Sequence, residues 1–274
     1  MRIGIFFSGE NIKNYEVREL NNLLKTKNKF IFFFEKSKKI KEKNFFLKIF
    51  DLIFIKKFFS LIILEEKISN FINKKNSFSE KLKKLNKKKN LNLIINNFYK
   101  YKKYYFECCE KNKRFKPDIT TIKKIKNNCD MIIFLGFNKL VDQNFLKLTK
   151  YGVLSFHTAD INFYRGRPAG FYEFINNEKF GGVTLQRLNE NIDSGEIIMI
   201  KKINIKNCKS YQETVYRMMS LKNNMLAKGL NEIKKKKNFY PTKNKVKLSI
   251  EKDSRKLFVV LKCLYKTMYM KYLI

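Results

Sequence analysis

The stretch Met131-Ile132-Ile133-Phe134-Leu135-Gly136-Phe137, followed by Gly152-Val153-Leu154-Ser155-Phe156-His157, decides the fold. Its first run is continuously apolar and of strand length, and Gly136 breaks it. Val141 to Leu148 then predicts a helix, and Gly152 to Phe156 the next strand. Strand, helix and strand make a βαβ unit. His157, the only histidine in the chain, falls at the C-terminal end of the second strand. In open parallel sheets that edge is where ligands bind.

Toward the N-terminus the same pattern recurs. Ile3 to Phe7 is a short apolar run ended by the turn Ser8-Gly9-Glu10-Asn11, a polar helix is expected near Tyr15 to Lys25, and Phe30 to Glu35 is a second strand. This start implies an α/β fold built on a Rossmann-like parallel sheet. The turn lacks G-x-G-x-x-G, so it lends no support to a dinucleotide. Residues 36–112 carry no interpretable motif and form a poorly defined insertion or helical segment. Within them Lys81 to Lys89 reads as a solvated helix face or loop, and Leu91 to Ile95 as a short strand. Phe45 to Leu64 has about the length of a membrane span, but Lys48, Asp51, Lys56 and Lys57 interrupt it. A buried or interface helix is the first reading of that segment, and weak contact with a membrane surface the second.

Toward the C-terminus, Lys116-Pro117-Asp118 marks a turn before a helix to about Asn128. Ala169 to Ile175 looks helical, and Gly182 to Arg187 and Ile197 to Ile205 are strands flanking the loop Asp193-Ser194-Gly195. Tyr211 to Lys237 predicts one long helix, with Val215, Met218, Met219, Leu226, Leu230 and Ile233 near helical spacing. Lys256 to Ile274 predicts an amphipathic helix that could dock on the domain, on a partner or on a membrane, the domain being the first reading. The expected organisation is therefore an α/β domain over 1–238 with a helical C-terminal extension over 239–274.

Composition bounds the function more weakly. The formal charge is +36, from 60 Lys plus Arg against 24 Asp plus Glu. Such a field attracts phosphorylated ligands, nucleic acid or anionic membrane. The excess is mostly Lys and accompanies many Asn, Ile and Phe, the pattern of A/T-rich coding, while Arg, the better base reader, is scarce. The five cysteines, Cys108, Cys109, Cys129, Cys208 and Cys263, are odd in number and include no C-x-x-C pair. With a single histidine they offer no zinc pattern, so no metal site is expected. Free thiols suit a reducing, cytoplasmic location. The first residues lack the apolar core of a signal peptide.

The chemistry concentrates around His157. A histidine at a strand end can serve as acid or base near neutral pH. A loop carboxylate, Asp193, can hold its tautomer and stabilise the imidazolium. Ser155, two residues earlier on the strand, faces the same side. G-x-S-x-G is absent and no second histidine exists to build a nucleophile triad. The cluster suits direct transfer, in which an incoming amine attacks a bound donor and the protein stabilises an oxyanion and moves a proton.

Four linked motifs, Ser155-Phe156-His157, Tyr164-Arg165-Gly166, Gly182-Val183-Thr184 and Asp193-Ser194-Gly195, resemble in order and spacing those of the 10-formyltetrahydrofolate-dependent formyltransferases. The resemblance covers about Asp130 to Ile205 and includes the glycinamide ribonucleotide, methionyl-tRNA and sugar-nucleotide members. It implies formyl transfer from 10-formyltetrahydrofolate to a primary amine. His157 would serve the oxyanion and Asp193 the proton relay. The backbone at Leu135-Gly136-Phe137 and the loop Asn189 to Asp193, including Ile192, would hold the pterin, and Arg165 and Gly166 would shape the acceptor side. The family's strand ends in Asn-x-His, and here the Asn position is Ser155. Loss of one oxyanion donor costs roughly 3 kcal/mol of transition-state stabilisation, so either Ser155 substitutes, another group compensates, or activity is weak. The Ser-x-His pattern also resembles a less typical branch linked to surface-glycan metabolism, which points to a nucleotide-linked amino sugar as acceptor. Methionyl-tRNA and glycinamide ribonucleotide are alternative acceptors; tRNA is disfavoured because only a short tail follows the domain. A reading from another class is a non-catalytic folate, nucleotide or RNA-binding module with a decayed site.

Overall fold

The computed structural model describes residues 1–36, 58–72, 78–95, 98–107, 109–111, 114–137, 139–166, 168–235, 248–249 and 256–272. The strands are β1 (Arg2–Phe7), β2 (Asn11–Lys13), β3 (Lys29–Glu35), β4 (Lys88–Asn90), β5 (Lys102–Phe106), β6 (Cys109–Lys111), β7 (Arg114–Lys116), β8 (Met131–Phe134), β9 (Val153–His157), β10 (Arg165–Gly166), β11 (Phe180–Arg187), β12 (Glu196–Asn204) and β13 (Leu248–Ser249). The helices are α1 (Asn14–Leu24), α2 (Phe59–Ile72), α3 (Phe78–Asn86), α4 (Leu91–Ile94), α5 (Ile119–Asn128), α6 (Gln143–Leu146), α7 (Phe171–Ile175), α8 (Tyr211–Ser220), α9 (Met225–Lys235) and α10 (Leu257–Tyr272).

Seven strands form one sheet in the order β12-β11-β9-β8-β1-β3-β5. The strands from β5 to β9 are parallel to one another, whereas β11 and β12 run antiparallel at the edge. The parallel strands are apolar on both faces because both are covered. On one face Ile3, Ile5, Phe7, Phe32 and Leu154 pack against Leu20 and Leu23 of α1 and Leu226 and Leu230 of α9. On the other, Phe6, Phe33, Ile132 and Val153 pack against Ile125 of α5 and Phe145 of α6. A third cluster joins Ile62 of α2, Phe171 and Phe174 of α7, and Val260 and Cys263 of α10. The C-terminal helix is thereby docked on the domain, and β13 of the same extension pairs with β10.

Several local expectations are corrected. Leu91 to Ile95 is not a strand: Asn90 caps one helical turn by accepting from the Asn92 N–H at 2.8 Å, and the strand lies just before, as β4 paired with β2. The helix expected over Val141 to Leu148 shrinks to α6, because Asp142 caps at Phe145 N and Val141 bridges to Phe115. The long helix from Tyr211 is two helices. Lys201 Nζ donates to the Leu221 and Asn223 carbonyls at 3.2 and 2.7 Å, Asn224 takes a left-handed φ of 61°, and Glu19 accepts from Leu226 N at 3.0 Å to start α9. The half-buried Lys201 and the buried Glu19 thereby terminate one helix and begin the next. Most of Phe45 to Leu64 lies outside the described residues; from Phe59 it is helical, with Ile62 buried. No helix among the described residues is long and apolar enough to cross a membrane. Cys129, Cys208 and Cys263 are unpaired and buried.

Candidate active site

From β1 the chain moves outward to β3 and β5, then returns to β8 and β9 on the other side of β1. Connections therefore leave in opposite directions at the β1–β8 boundary, and in open α/β sheets ligands bind outside the C-terminal ends of the strands at such a point. His157 ends β9 at that edge. It is 7% exposed, with Nδ1 3.2 Å from Asp193 Oδ1 and Nε2 3.0 Å from the Tyr164 carbonyl oxygen. A carbonyl only accepts, so Nε2 carries a hydrogen; the carboxylate receives the Nδ1 hydrogen when the ring is doubly protonated. To present an N–H to a ligand, the ring must exchange one of these two partners for it.

Asp193 adopts a left-handed φ of 47°, a conformation that asparagine and aspartate tolerate better than most residues. Its second oxygen, Oδ2, accepts the Gly166 N–H at 2.9 Å. One carboxylate thus joins His157 to the Arg165-Gly166 strap. Gly166 has φ of 89°, which requires glycine. Arg165 is turned inward, 9% exposed, with Nε 3.4 Å from the Ile161 carbonyl. It braces the loop from within.

Thr184 and Gly182 of the Gly-Val-Thr motif hold the loop after His157. Thr184 Oγ1 donates to the Ala159 carbonyl at 2.8 Å and accepts from Ile161 N at 3.2 Å. A Cβ on Gly182 would stand 3.1 Å from Asp160 N, so a larger residue would push that loop off the strand. At Gly195 space, not backbone freedom, demands glycine: a Cβ would run into the Arg187 carbonyl and stand 2.7 Å from Gln186 Oε1.

The residues expected to hold a pterin divide by role. Leu135 and Phe137 bury their side chains in opposite core layers, leaving only main chain to face a ligand. Gly136, with φ of 77°, lies over the Glu16 carboxylate, and its carbonyl accepts from Ser8 Oγ at 2.9 Å. Asn189 spends its side chain inside its own loop, accepting from Asn191 N and Ser194 Oγ and donating to the Ser194 carbonyl. Ile192 is 44% exposed, an apolar surface beside Asp193. Among the described residues no group of three or more His, Cys, Asp or Glu side chains is placed to hold a metal ion.

The sequence reading missed three groups: the Tyr164 carbonyl, Gln186 and Glu173. Gln186 had a signal, since it lies two residues after Thr184 on a strand and so shares its face. Glu173 had none. It is 3% exposed and lines a cavity of about 160 Å³ with Asp160, Phe163, Tyr164, Glu178 and Lys202. Its Oε1 has no hydrogen-bond partner, and burial, helped by the nearby Glu178 and Asp160 carboxylates against the opposing pull of His157, pushes its carboxyl up to about 7. The folded-state value lies above the unfolded one, so this contribution to stability is complete below the ordinary carboxylate range and is lost as pH rises through about 7. Glu173→Gln is therefore expected to exceed the wild type in stability by on the order of 3 kcal/mol at pH 8, with the gap closing toward pH 4.5. Urea denaturation across that range checks it; a gap independent of pH would contradict the buried-acid reading.

A histidine–carboxylate pair at the C-terminal end of β9 in an α/β sheet suits acid–base chemistry on a ligand held at that edge. The chain belongs to the formyl transferase family, whose sequence profile matches residues 65–230. It is 24% identical over 148 residues to a methionyl-tRNA formyltransferase of Prochlorococcus marinus, a match covering 54% of this chain and 44% of that protein. The chain thus spans less than half the length of the curated relatives it matches. Among solved structures, the N-formyltransferase of Helicobacter canadensis in complex with folinic acid and dTDP-3-aminofucose superimposes with a TM-score of 0.57 at 14% identity, over 99% of this chain and 82% of that one. The phosphoribosylglycinamide formyltransferase of Anaplasma phagocytophilum gives 0.52 at 14% identity, over 86% and 87%. These likenesses establish the shared fold, C-terminal helices included.

Proposed function

We propose that this protein transfers the formyl group of 10-formyltetrahydrofolate to a primary amine, and that the acceptor is a nucleotide-linked amino sugar. The observation that carries the reading is the His157–Asp193 pair at 3.2 Å on the ligand-binding edge of the sheet. The donor supplies the formyl carbon and leaves as tetrahydrofolate, with its nitrogen taking a proton as the amine loses one. His157 directs an N–H at the formyl oxygen as negative charge gathers there. Asp193 keeps the ring oriented and its charge compensated, and it moves the strap at Gly166 in step with the ring. The main chain at Leu135-Gly136-Phe137 and the apolar face of Ile192 suit a flat heterocycle held by backbone hydrogen bonds. A sugar acceptor is supported by the solved relative whose match covers 99% of this chain, which was crystallised with dTDP-3-aminofucose. The positive charge of the chain suits the diphosphate of such a ligand.

Methionyl-tRNA is the second reading, favoured by the names of curated relatives that match this chain in sequence. Purified full-length protein with 10-formyltetrahydrofolate, offered dTDP-amino sugars, glycinamide ribonucleotide and methionyl-tRNA in turn, separates these by the appearance of tetrahydrofolate. Turnover with an amino sugar alone is the expected result. Turnover only with tRNA would replace the acceptor, and none with any amine would leave the non-catalytic module as the surviving account.

A further inference from the structure

The family's Asn is Ser155 here, and a serine hydroxyl is shorter than a carboxamide and brings a single donor. The structure places a carboxamide directly across from it. In the antiparallel pairing of β9 and β11, Thr184 opposes His157 and Gln186 opposes Ser155. Directly opposed residues share a face and hold their Cβ atoms about 4.5–5.5 Å apart. His157, Ser155, Thr184 and Gln186 therefore form one patch on one side of the sheet. A register irregularity falls between Leu185 and Gln186 against β12, a feature that re-aims the side chain that follows it.

Gln186 is 2% exposed, and its Oε1 accepts the Gly195 N–H at 3.0 Å. Only the carbonyl branch of the amide can accept from an N–H, so the orientation of the group is determined. Its NH₂ branch donates to no group among the described residues, yet it is not one of the sealed-off polar atoms left without a partner. A polar side chain this deeply placed normally satisfies both ends. Gly195 follows Asp193 by two residues, so the bond that orients Gln186 also belongs to the loop that positions the partner of His157.

We propose that Gln186 is a further catalytic residue: its Nε2 donates to the formyl oxygen and, with Ser155, replaces the amide that the family carries two residues before the histidine. This rests on the proposed formyl transfer. The amide donor has moved from β9 to the neighbouring strand, from which a longer side chain reaches the same patch.

The test uses full-length protein, with formyl-transfer kinetics on the accepted amine and binding of 5-formyltetrahydrofolate as a stable donor analogue. Gln186→Ala is expected to lower kcat by about 10²- to 10³-fold, the effect of deleting one oxyanion donor, with analogue affinity changed by less than about threefold. Gln186→Glu keeps an oxygen for the Gly195 N–H and removes the donor, so it falls as far. The double variant Ser155→Asn with Gln186→Ala returns a carboxamide on the original strand and is expected to recover at least about tenfold in kcat. Full activity in Gln186→Glu, or no recovery in the double variant, would overturn the assignment and leave Gln186 as an anchor for Gly195. Wild-type protein that binds the analogue but turns over no amine would instead overturn the formyl-transfer reading itself, and this assignment with it.

Discussion

His157→Ala is expected to reduce formyl transfer by on the order of 10³ to 10⁴, because one ring supplies both the oxyanion contact and the proton path. The chain contains no other histidine to take over the task. Removing the ring also takes one contact from Asp193. Oδ2 keeps the Gly166 N–H, but Oδ1 loses His157 Nδ1 at 3.2 Å. The link between the ring and Gly166 that runs through this half-buried carboxylate is then broken, so the strap from Tyr164 to Gly166 should loosen as well. The Tyr164 carbonyl also loses its donor. Kinetics with the accepted amine measure the first effect, and protease sensitivity near Gly166 reports the second. Turnover within tenfold of the wild type would remove His157 from the mechanism.

Phe6→Ala is expected to destabilise the fold by about 4 kcal/mol, within the range for deleting a buried aromatic ring. Phe6 is fully buried in the centre of the sheet. It stacks on Phe33 at 4.6 Å and meets Phe145 edge-on at 5.6 Å, with Phe106, Phe134 and Phe137 within 5.9 Å. Rings on three other strands and α6 cannot all collapse into the space left, so the lost contacts are not recovered. Such a loss is a large part of the roughly 5–15 kcal/mol that stabilises a typical domain. The effect should reach the site, since Phe6 accepts the Leu135 N–H at 3.1 Å and lies beneath the loop that precedes Phe137. Urea denaturation measures the change; a loss below about 1.5 kcal/mol would mean that the cluster repacks.

The central strands were legible because their apolar runs are short, unbroken and ended by glycine or polar turns; Ile3 to Phe7 and Met131 to Leu135 match β1 and β8 closely. Edges and insertions were not. Leu91 to Ile95 is apolar enough for a strand, yet the Asn90 cap and the pairing of β4 with β2 placed the extended segment three residues earlier. The break after Ser220 depends on Lys201 and Glu19, residues 20 and 207 positions from the backbone groups they bind. Periodicity within one segment carries no trace of partners so distant.

The amino-acid sequence alone determined that this protein is an α/β domain with a lone histidine at a strand end and an aspartate in a following loop. Those features rest on local runs, turns and spacing. Tertiary structure decided which groups surround that histidine. It put the Tyr164 carbonyl on Nε2, tied Asp193 to Gly166, buried Glu173 beside a cavity and set Gln186 opposite Ser155. The physical reason is cross-strand register. Residues 31 positions apart become neighbours only when β9 and β11 align, and one step of slippage would turn Gln186 to the other face.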